Sequence, residues 1–174
     1  MTSTAQGLVS EAEFLALPES HDRIELIDGE VILGPSPTPV HQTIVARLCR
    51  SLGAWADEHP PAFLGLSPLD VRIAPGRIVQ PDLFLLLSGP PGPEGPVDAV
   101  PDLVIEVLSR DRGYDRVTKR VLYAQAGVPE YWIVDPLTRR IESCEGMDQV
   151  VTFTTTAKSR VARGLQVELD ALLR

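Results

Sequence analysis

The alternation of apolar and polar residues predicts a short helix near the start of the chain. Ser10 to Glu13 reads SEAE, in which the Ser10 side chain can cap the first turn and Glu13 can return the hydrogen bond. Val9 and Phe14 are placed on either side of this capping box as an apolar pair. A helix is therefore expected from here to about Leu17.

The next patterned segment, 24–33, predicts a β-hairpin. Its sequence IELIDGEVIL has two apolar runs around Asp28-Gly29, which is the strongest short-range signal for a hairpin. The turn pairs Ile24 with Leu33, Glu25 with Ile32, Leu26 with Val31 and Ile27 with Glu30. Glu25 then shares a face with apolar residues, so a carboxylate is expected in partly apolar surroundings.

The segment from His41 to Glu58 predicts a second helix, because its apolar residues recur at helical spacing. The repeating positions are Ile44, Val45, Leu48, Leu52 and Trp55. His41 lies on the same stripe and is expected to point toward the sheet. A capping or core role is the favoured interpretation of this histidine, with an auxiliary role at a functional site as the alternative.

The rest of the chain indicates strands and one further helix. Strands are expected at 62–66, 69–74, 77–87, 103–108, 131–134 and 139–144, with weaker strands up to 153 and a short strand and helical turn in 164–174. A helix is expected at 114–126. The segment 88–101 contains five prolines and three glycines, which predicts a loop.

Composition is typical of a single globular domain. The chain has 174 residues, of which 44% are hydrophobic, so 1–174 is expected to share one core, with 1–7 disordered. The sequence contains neither an apolar run of about 18 residues nor the pattern of a signal peptide, so we expect a cytoplasmic protein that does not enter a membrane. Cys49 and Cys144 have no second ligand at metal-binding spacing and are interpreted as reduced packing residues.

The charge distribution argues against a protein that coats nucleic acid. The formal net charge is −8, whereas such a protein would carry a broad basic surface. Charge is locally reversed in 110–120, RDRGYDRVTKR, which has five basic and two acidic residues. A solvated helix face is one interpretation of this run, and contact with phosphates is the other.

Two acids interrupt apolar strands. Asp82 follows Pro81 inside the expected strand 77–87, and Glu106 lies in the apolar run 103–108. A buried carboxylate needs a partner to replace lost hydration, and neighbouring strands would bring these two acids together. Adjacent carboxylates repel unless one is protonated or a cation lies between them. Oxygen ligands favour Mg²⁺ or Mn²⁺, so the residues predict a metal held by Asp82 and Glu106.

The combination of VQPDLFLL, PDLVIEVLS, a lysine on the next helix and GVPEYWIVDP resembles the Uma2 family of restriction-endonuclease-like proteins, in the PD-(D/E)XK nuclease superfamily. The similarity extends over nearly the whole chain and includes IELIDGE, His41 and the terminal GLQVELDALL. The resemblance implies an α/β (α+β) fold with a restriction-endonuclease-like mixed β-sheet flanked by helices.

The resemblance also implies roles for individual residues. Asp82, Glu106 and Glu25 would be acidic site residues that hold the metal, and Lys119 would be the catalytic lysine. In the simplest superfamily pattern the lysine lies two residues after the acid, where this chain has Leu108. Lys119 on the adjoining helix resembles the migrated lysine of this family. Four arginines of the basic run would flank the site and bind neighbouring phosphates: Arg110, Arg112, Arg116 and Arg120.

Three functions remain open from the sequence. The first is a Mg²⁺- or Mn²⁺-dependent DNA endonuclease, expected to act as a homodimer so that two sites can cut two strands. The second is a non-cleaving DNA-binding or protein-interaction domain on the same fold. The third is a metal hydrolase acting on a small phosphorylated substrate, which suits the acidic charge. Glu130, Trp132 and Asp135 are interpreted as structural residues.

Overall fold

The computed structural model describes residues 8–18, 22–108 and 114–174. The helices are α1 Glu11–Leu15, α2 Pro39–Glu58, α3 Lys119–Gln125 and α4 Leu169–Leu172, and a π-helical segment Tyr114–Thr118 leads into α3. The strands are β1 Ile24–Ile27, β2 Glu30–Leu33, β3 Phe63–Leu66, β4 Val71–Ala74, β5 Arg77–Val79, β6 Leu83–Leu86, β7 Leu103–Val107, β8 Glu130–Asp135, β9 Arg140–Glu145, β10 Gln149–Phe153, β11 Thr156–Lys158 and β12 Gln166–Glu168.

A six-stranded mixed sheet forms the centre of the structure, in the order β10-β9-β8-β7-β6-β3. The β7–β8 pair is parallel, and the helix α3 connects these two strands, as a parallel pair requires a crossover. The other pairs in this sheet are antiparallel. The expected mixed sheet flanked by helices is confirmed.

Both faces of the central sheet are covered, which explains why β6, β7 and β8 are apolar along their length. On one face α2, α4 and β12 pack against the sheet, through residues such as Leu48, Leu172 and Val167. On the other face α3, β4 and β5 pack against it, through residues such as Tyr123, Val71 and Val79. The acids in these strands are therefore shielded from bulk water.

A second sheet, in the order β2-β1-β5-β4, contains the predicted hairpin. The β1–β2 register is the one predicted, with Glu25 opposite Ile32. Asp28 and Gly29 have φ of 52° and 89°, the left-handed values that a tight hairpin turn requires. The capping box of α1 is also confirmed, although this helix ends at Leu15 because Pro18 disfavours helical geometry in the residue before it.

The single strand predicted at 77–87 is wrong. The chain forms β5 in the smaller sheet and β6 in the central sheet, and Gln80-Pro81-Asp82 passes between them. Pro81 has no N–H for a strand ladder, and the Gln80 N–H donates to Glu25 Oε1 at 3.0 Å. Asp82 therefore lies at the crossing between two sheets and not inside a strand.

Other differences from the predicted elements are small. The helix α2 begins at Pro39 because Thr38 caps it, accepting from the His41 N–H at 3.2 Å. The strand β11, which was not predicted, pairs with β12. Cys49 and Cys144 are free thiols. In the three described ranges, no helix is long and apolar enough to cross a membrane.

Candidate active site

Asp82 immediately precedes β6 of the central sheet, and Glu106 lies in the neighbouring strand β7. Their strands β6 and β7 are antiparallel neighbours, with Leu83 opposite Ile105. The backbone N–H of Val107 donates to Asp82 Oδ2 at 2.8 Å. The expectation that neighbouring strands bring the two acids together is confirmed.

Glu106 has three side-chain partners. Its Oε1 accepts from Lys119 Nζ at 2.7 Å and from the Tyr123 hydroxyl at 2.9 Å, and its Oε2 accepts from Arg23 Nη2 at 3.0 Å. Lys119 and Tyr123 are one turn apart on α3, so both reach the same carboxylate from one helix face. The carboxylate that interrupts the apolar strand is thus stabilised by protein groups.

Glu25 brings a third carboxylate from the hairpin to the same point. Its Oε1 accepts from Lys119 Nζ at 3.0 Å and from the Gln80 N–H. Lys119 is 2% exposed and bridges Glu25 and Glu106. Although burial lowers the pKa of Lys119, the charges of Glu106 and Glu25 outweigh it and raise the pKa, so the ammonium stays protonated. We call this group of Glu25, Asp82, Glu106 and Lys119 the acidic centre.

Arg23 is a member of the site that sequence reasoning missed. Its Nη1 donates to Asp82 Oδ1 at 3.1 Å, and its Nη2 lies 3.0 Å from Glu106 Oε2 and 3.4 Å from Glu25 Oε1. One guanidinium thus contacts all three acids. Side chains alternate along a strand, so a residue two positions before Glu25 is expected on the same face as Glu25. This spacing could have indicated Arg23 from the sequence.

His41 also reaches the acidic centre. Its Nε2 lies 3.0 Å from Asp82 Oδ2, and the residue is buried. Although burial lowers the pKa of His41, the hydrogen bond and charge of Asp82 raise it above its ordinary value. The position of His41 on the buried stripe of α2 accounts for this contact.

The carboxylates of the acidic centre are ligands of the type that suits a hard divalent cation, but Arg23 lies against the same oxygens. Carboxylate oxygens of Asp82 and Glu106 converge on one positive group, and such oxygens are the ligands that Mg²⁺ and Mn²⁺ prefer. Arg23 and Lys119 offset two of the three negative charges, so one remains when His41 is neutral. Among the described residues, no group of three or more His, Cys, Asp or Glu side chains is arranged to hold a metal ion.

Of the four arginines expected to bind phosphates, the two that the structure describes, Arg116 and Arg120, have their partners away from the acidic centre. Arg110 and Arg112 lie outside the described residues. Arg116 donates to Asp135 Oδ2 at 2.9 Å and lies 3.0 Å from Glu142 Oε1, so its charge is already paired. Arg120 donates to the Met147 carbonyl at 2.6 Å. In this structure Arg116 and Arg120 connect the helical segment to the β8–β9–β10 region.

Acid pH is expected to remove the stabilisation that Glu106 provides. Burial raises the pKa of Glu106, but the charges of Arg23 and Lys119 outweigh it and lower the pKa from 4.5 to about 2. Because the folded-state pKa is depressed, the stabilisation is complete above pH 4.5 and is lost as the pH falls toward about 2. The difference in melting temperature between the native protein and Glu106→Gln, followed by circular dichroism, should narrow over this window. A constant difference would contradict the depressed pKa.

The mixed sheet flanked by helices is the restriction-endonuclease-like fold. The chain belongs to the Uma2 family, because the family model, described as "Putative restriction endonuclease", matches residues 11–171. This assignment supports a nuclease function.

A solved structure confirms the fold. It is the crystal structure described as "a putative nuclease belonging to DUF820" from Anabaena variabilis. The two chains superpose with a TM-score of 0.80 at 23% identity, and the match covers 95% of this chain and 97% of that one. No curated protein gave a significant match.

Proposed function

We propose that the protein hydrolyses phosphodiester bonds in DNA with a Mg²⁺ or Mn²⁺ ion bound by Asp82 and Glu106. The observation that carries this proposal is the convergence of Glu25, Asp82 and Glu106 on one guanidinium, with the buried Lys119 bridging Glu25 and Glu106, in a chain of the Uma2 family. The net negative charge of the three acids with Arg23 and Lys119 favours binding of a cation. A bound cation would also offset the repulsion between the acidic centre and a phosphate.

The reaction depends on how the chain holds the two ligands. A bound divalent cation would supply charge stabilisation at the phosphate and a more acidic water. Lys119 and Tyr123 hold Glu106 ionised and oriented from α3. His41 and the Val107 N–H hold Asp82 through Oδ2, which leaves Oδ1 toward Arg23. Glu25 binds the Lys119 ammonium, which also contacts Glu106, and so holds it in place. The ammonium would then add positive charge close to the reacting phosphate.

Cleavage of supercoiled plasmid DNA tests this function. The native protein should nick or linearise the plasmid in Mn²⁺ and should be inactive in EDTA. Asp82→Asn should reduce the rate by about 10²-fold or more, because the isosteric amide removes the ligand charge. High salt should inhibit cleavage, since counterions compete for phosphate contacts. Linear product in a single binding event would fit the homodimer expected from the sequence.

The control is Asp98→Asn, which removes a carboxylate that is largely exposed and pairs with Arg72 at the surface. This variant should cut DNA at the native rate. Equal residual cleavage in Asp82→Asn and Asp98→Asn would assign the activity to a contaminant.

One observation favours the alternative, a non-cleaving DNA-binding or interaction domain. The carboxylates of the acidic centre already have basic partners within the protein, which offset part of their charge without a metal. Retarded migration of DNA without any cleavage in Mn²⁺, at native and lowered salt, would establish this alternative.

A further inference from the structure

Arg23 is more exposed than Lys119, the cation within the acidic centre. Lys119 is 2% exposed, whereas the Arg23 side chain is 22% exposed. The Lys119 ammonium lies 2.7 Å from Glu106, and the nearest Arg23 contact to that acid is 3.0 Å. Arg23 is therefore the more accessible of the two positive groups.

The oxygens that Arg23 contacts are those that a metal would need. Its guanidinium nitrogens lie 3.1 Å from Asp82 Oδ1 and 3.0 Å from Glu106 Oε2. The other oxygen of Asp82 is engaged by the Val107 N–H and His41, and that of Glu106 by Lys119 and Tyr123. Asp82 Oδ1 and Glu106 Oε2 thus both accept from the guanidinium of Arg23, whose Nη2 also lies 3.2 Å from Glu106 Oε1.

We propose that Arg23 is an internal competitor for the divalent cation, so that a metal binds Asp82 and Glu106 only when the guanidinium moves away from them. This inference rests on the proposed metal site, but it concerns binding and not cleavage. A divalent ion and the Arg23 guanidinium would repel each other strongly if both lay against Asp82 Oδ1 and Glu106 Oε2.

Competition with Arg23 also favours divalent over monovalent cations at Asp82 and Glu106. A monovalent ion such as K⁺ carries the same charge as the guanidinium and forms no charge-assisted hydrogen bonds, so it gains little by replacing Arg23. A divalent ion brings twice the charge to the same oxygens. Arg23 would thus lower the affinity for all cations and exclude monovalent ones.

The test is a calorimetric titration of Mn²⁺ into three proteins without DNA. Arg23→Gln removes the guanidinium, and Arg77→Gln is the matched control, because it also removes one positive charge from a residue bound to Asp28 and Gln125. We expect Arg23→Gln to bind Mn²⁺ at least about tenfold more tightly than both other proteins, since the competing charge is absent. Binding that is equal to or weaker than that of Arg77→Gln would overturn the proposal.

A double variant locates the gained affinity. In Arg23→Gln combined with Asp82→Asn, the tighter binding should disappear, because one of the two ligands is lost. If the double variant keeps the tighter binding, the ion is bound elsewhere and the proposal is wrong.

Thermal melting gives a second measurement if Arg23→Gln folds poorly without metal. Loss of one of two fixed cations should lower its melting temperature, and Mn²⁺ should raise that temperature more than it does for the native protein or Arg77→Gln. An equal or smaller rise would overturn the inference.

The outcomes separate this inference from the proposed function. If Arg23→Gln binds Mn²⁺ more tightly but the native protein does not cut DNA, the inference holds and the proposed function is wrong. If the native protein cuts DNA but Arg23→Gln does not bind Mn²⁺ more tightly, the proposed function holds and the inference is wrong.

Discussion

Replacement of Lys119 by methionine is expected to lower the free energy of unfolding by about 3–5 kcal/mol, as when one partner of a buried ion pair is removed. Methionine keeps most of the volume of the side chain but leaves Glu25 and Glu106 buried with less positive charge. Urea unfolding at neutral pH measures the change.

The matched control for this variant is Lys158→Met. Lys158, the other lysine of the chain, lies exposed on β11. Its replacement should change stability by no more than about 0.5 kcal/mol. Similar losses in the two variants would show that the buried ammonium does not stabilise the fold.

The same residue connects stability to the proposed reaction. If its charge assists cleavage, Lys119→Ala should slow turnover by roughly 10²-fold or more, while Mn²⁺ affinity changes less. Leu108 is buried and shares the strand face of Glu106 two residues earlier. Leu108→Lys in the Lys119→Ala background should therefore restore part of the rate. Unchanged cleavage in Lys119→Ala would limit this lysine to a structural role.

The second large effect on stability is expected at Glu130, which is buried and takes no part in the proposed chemistry. Its Oε1 accepts from Trp132 Nε1 and Ser143 Oγ, each at 2.8 Å. Its Oε2 accepts from Ser159 Oγ at 2.7 Å and from the N–H groups of Arg160 and Val161. One carboxylate thus joins β8 and β9 to the turn after β11.

Glu130→Ala is expected to lower the free energy of unfolding by at least about 3 kcal/mol, because several buried donors lose their acceptor. Glu145→Ala is the control, since Glu145 is half exposed and pairs with Arg160 at the surface, where an ion pair contributes about 0–1 kcal/mol. Differential scanning calorimetry of both variants gives the comparison. A loss in Glu130→Ala no greater than in Glu145→Ala would contradict the structural role.

Arg23 and Lys119 change how the three acids should be understood. The sequence predicted that the acids would repel one another without a metal. The structure instead shows two basic side chains among them, so the fold can form before any ion binds. A metal would then act on an already folded centre, and its affinity would depend on Arg23.

Local patterns were sufficient for the elements and for part of the site. The hairpin register followed from Asp28-Gly29, because a two-residue turn leaves one pairing of the flanking strands. The proximity of Asp82 and Glu106 followed from two apolar runs that must pair in one sheet. The choice of Lys119 as a site residue came from the resemblance to a family, and Leu122 and Tyr123 one turn later in its helix indicated only that its side chain could face the sheet.

Other features were decided only by tertiary structure. The crossing at Gln80-Pro81-Asp82 could not be read from 77–87, because an apolar run does not show which of two sheets each half joins. The charge partners of Arg23 and Arg116 are likewise distant in the sequence, so Arg23 was overlooked and Arg116 was assigned to phosphates although it pairs with Asp135. Sequence periodicity determines which face a residue occupies, whereas the packing of the sheets and helices determines what that face meets.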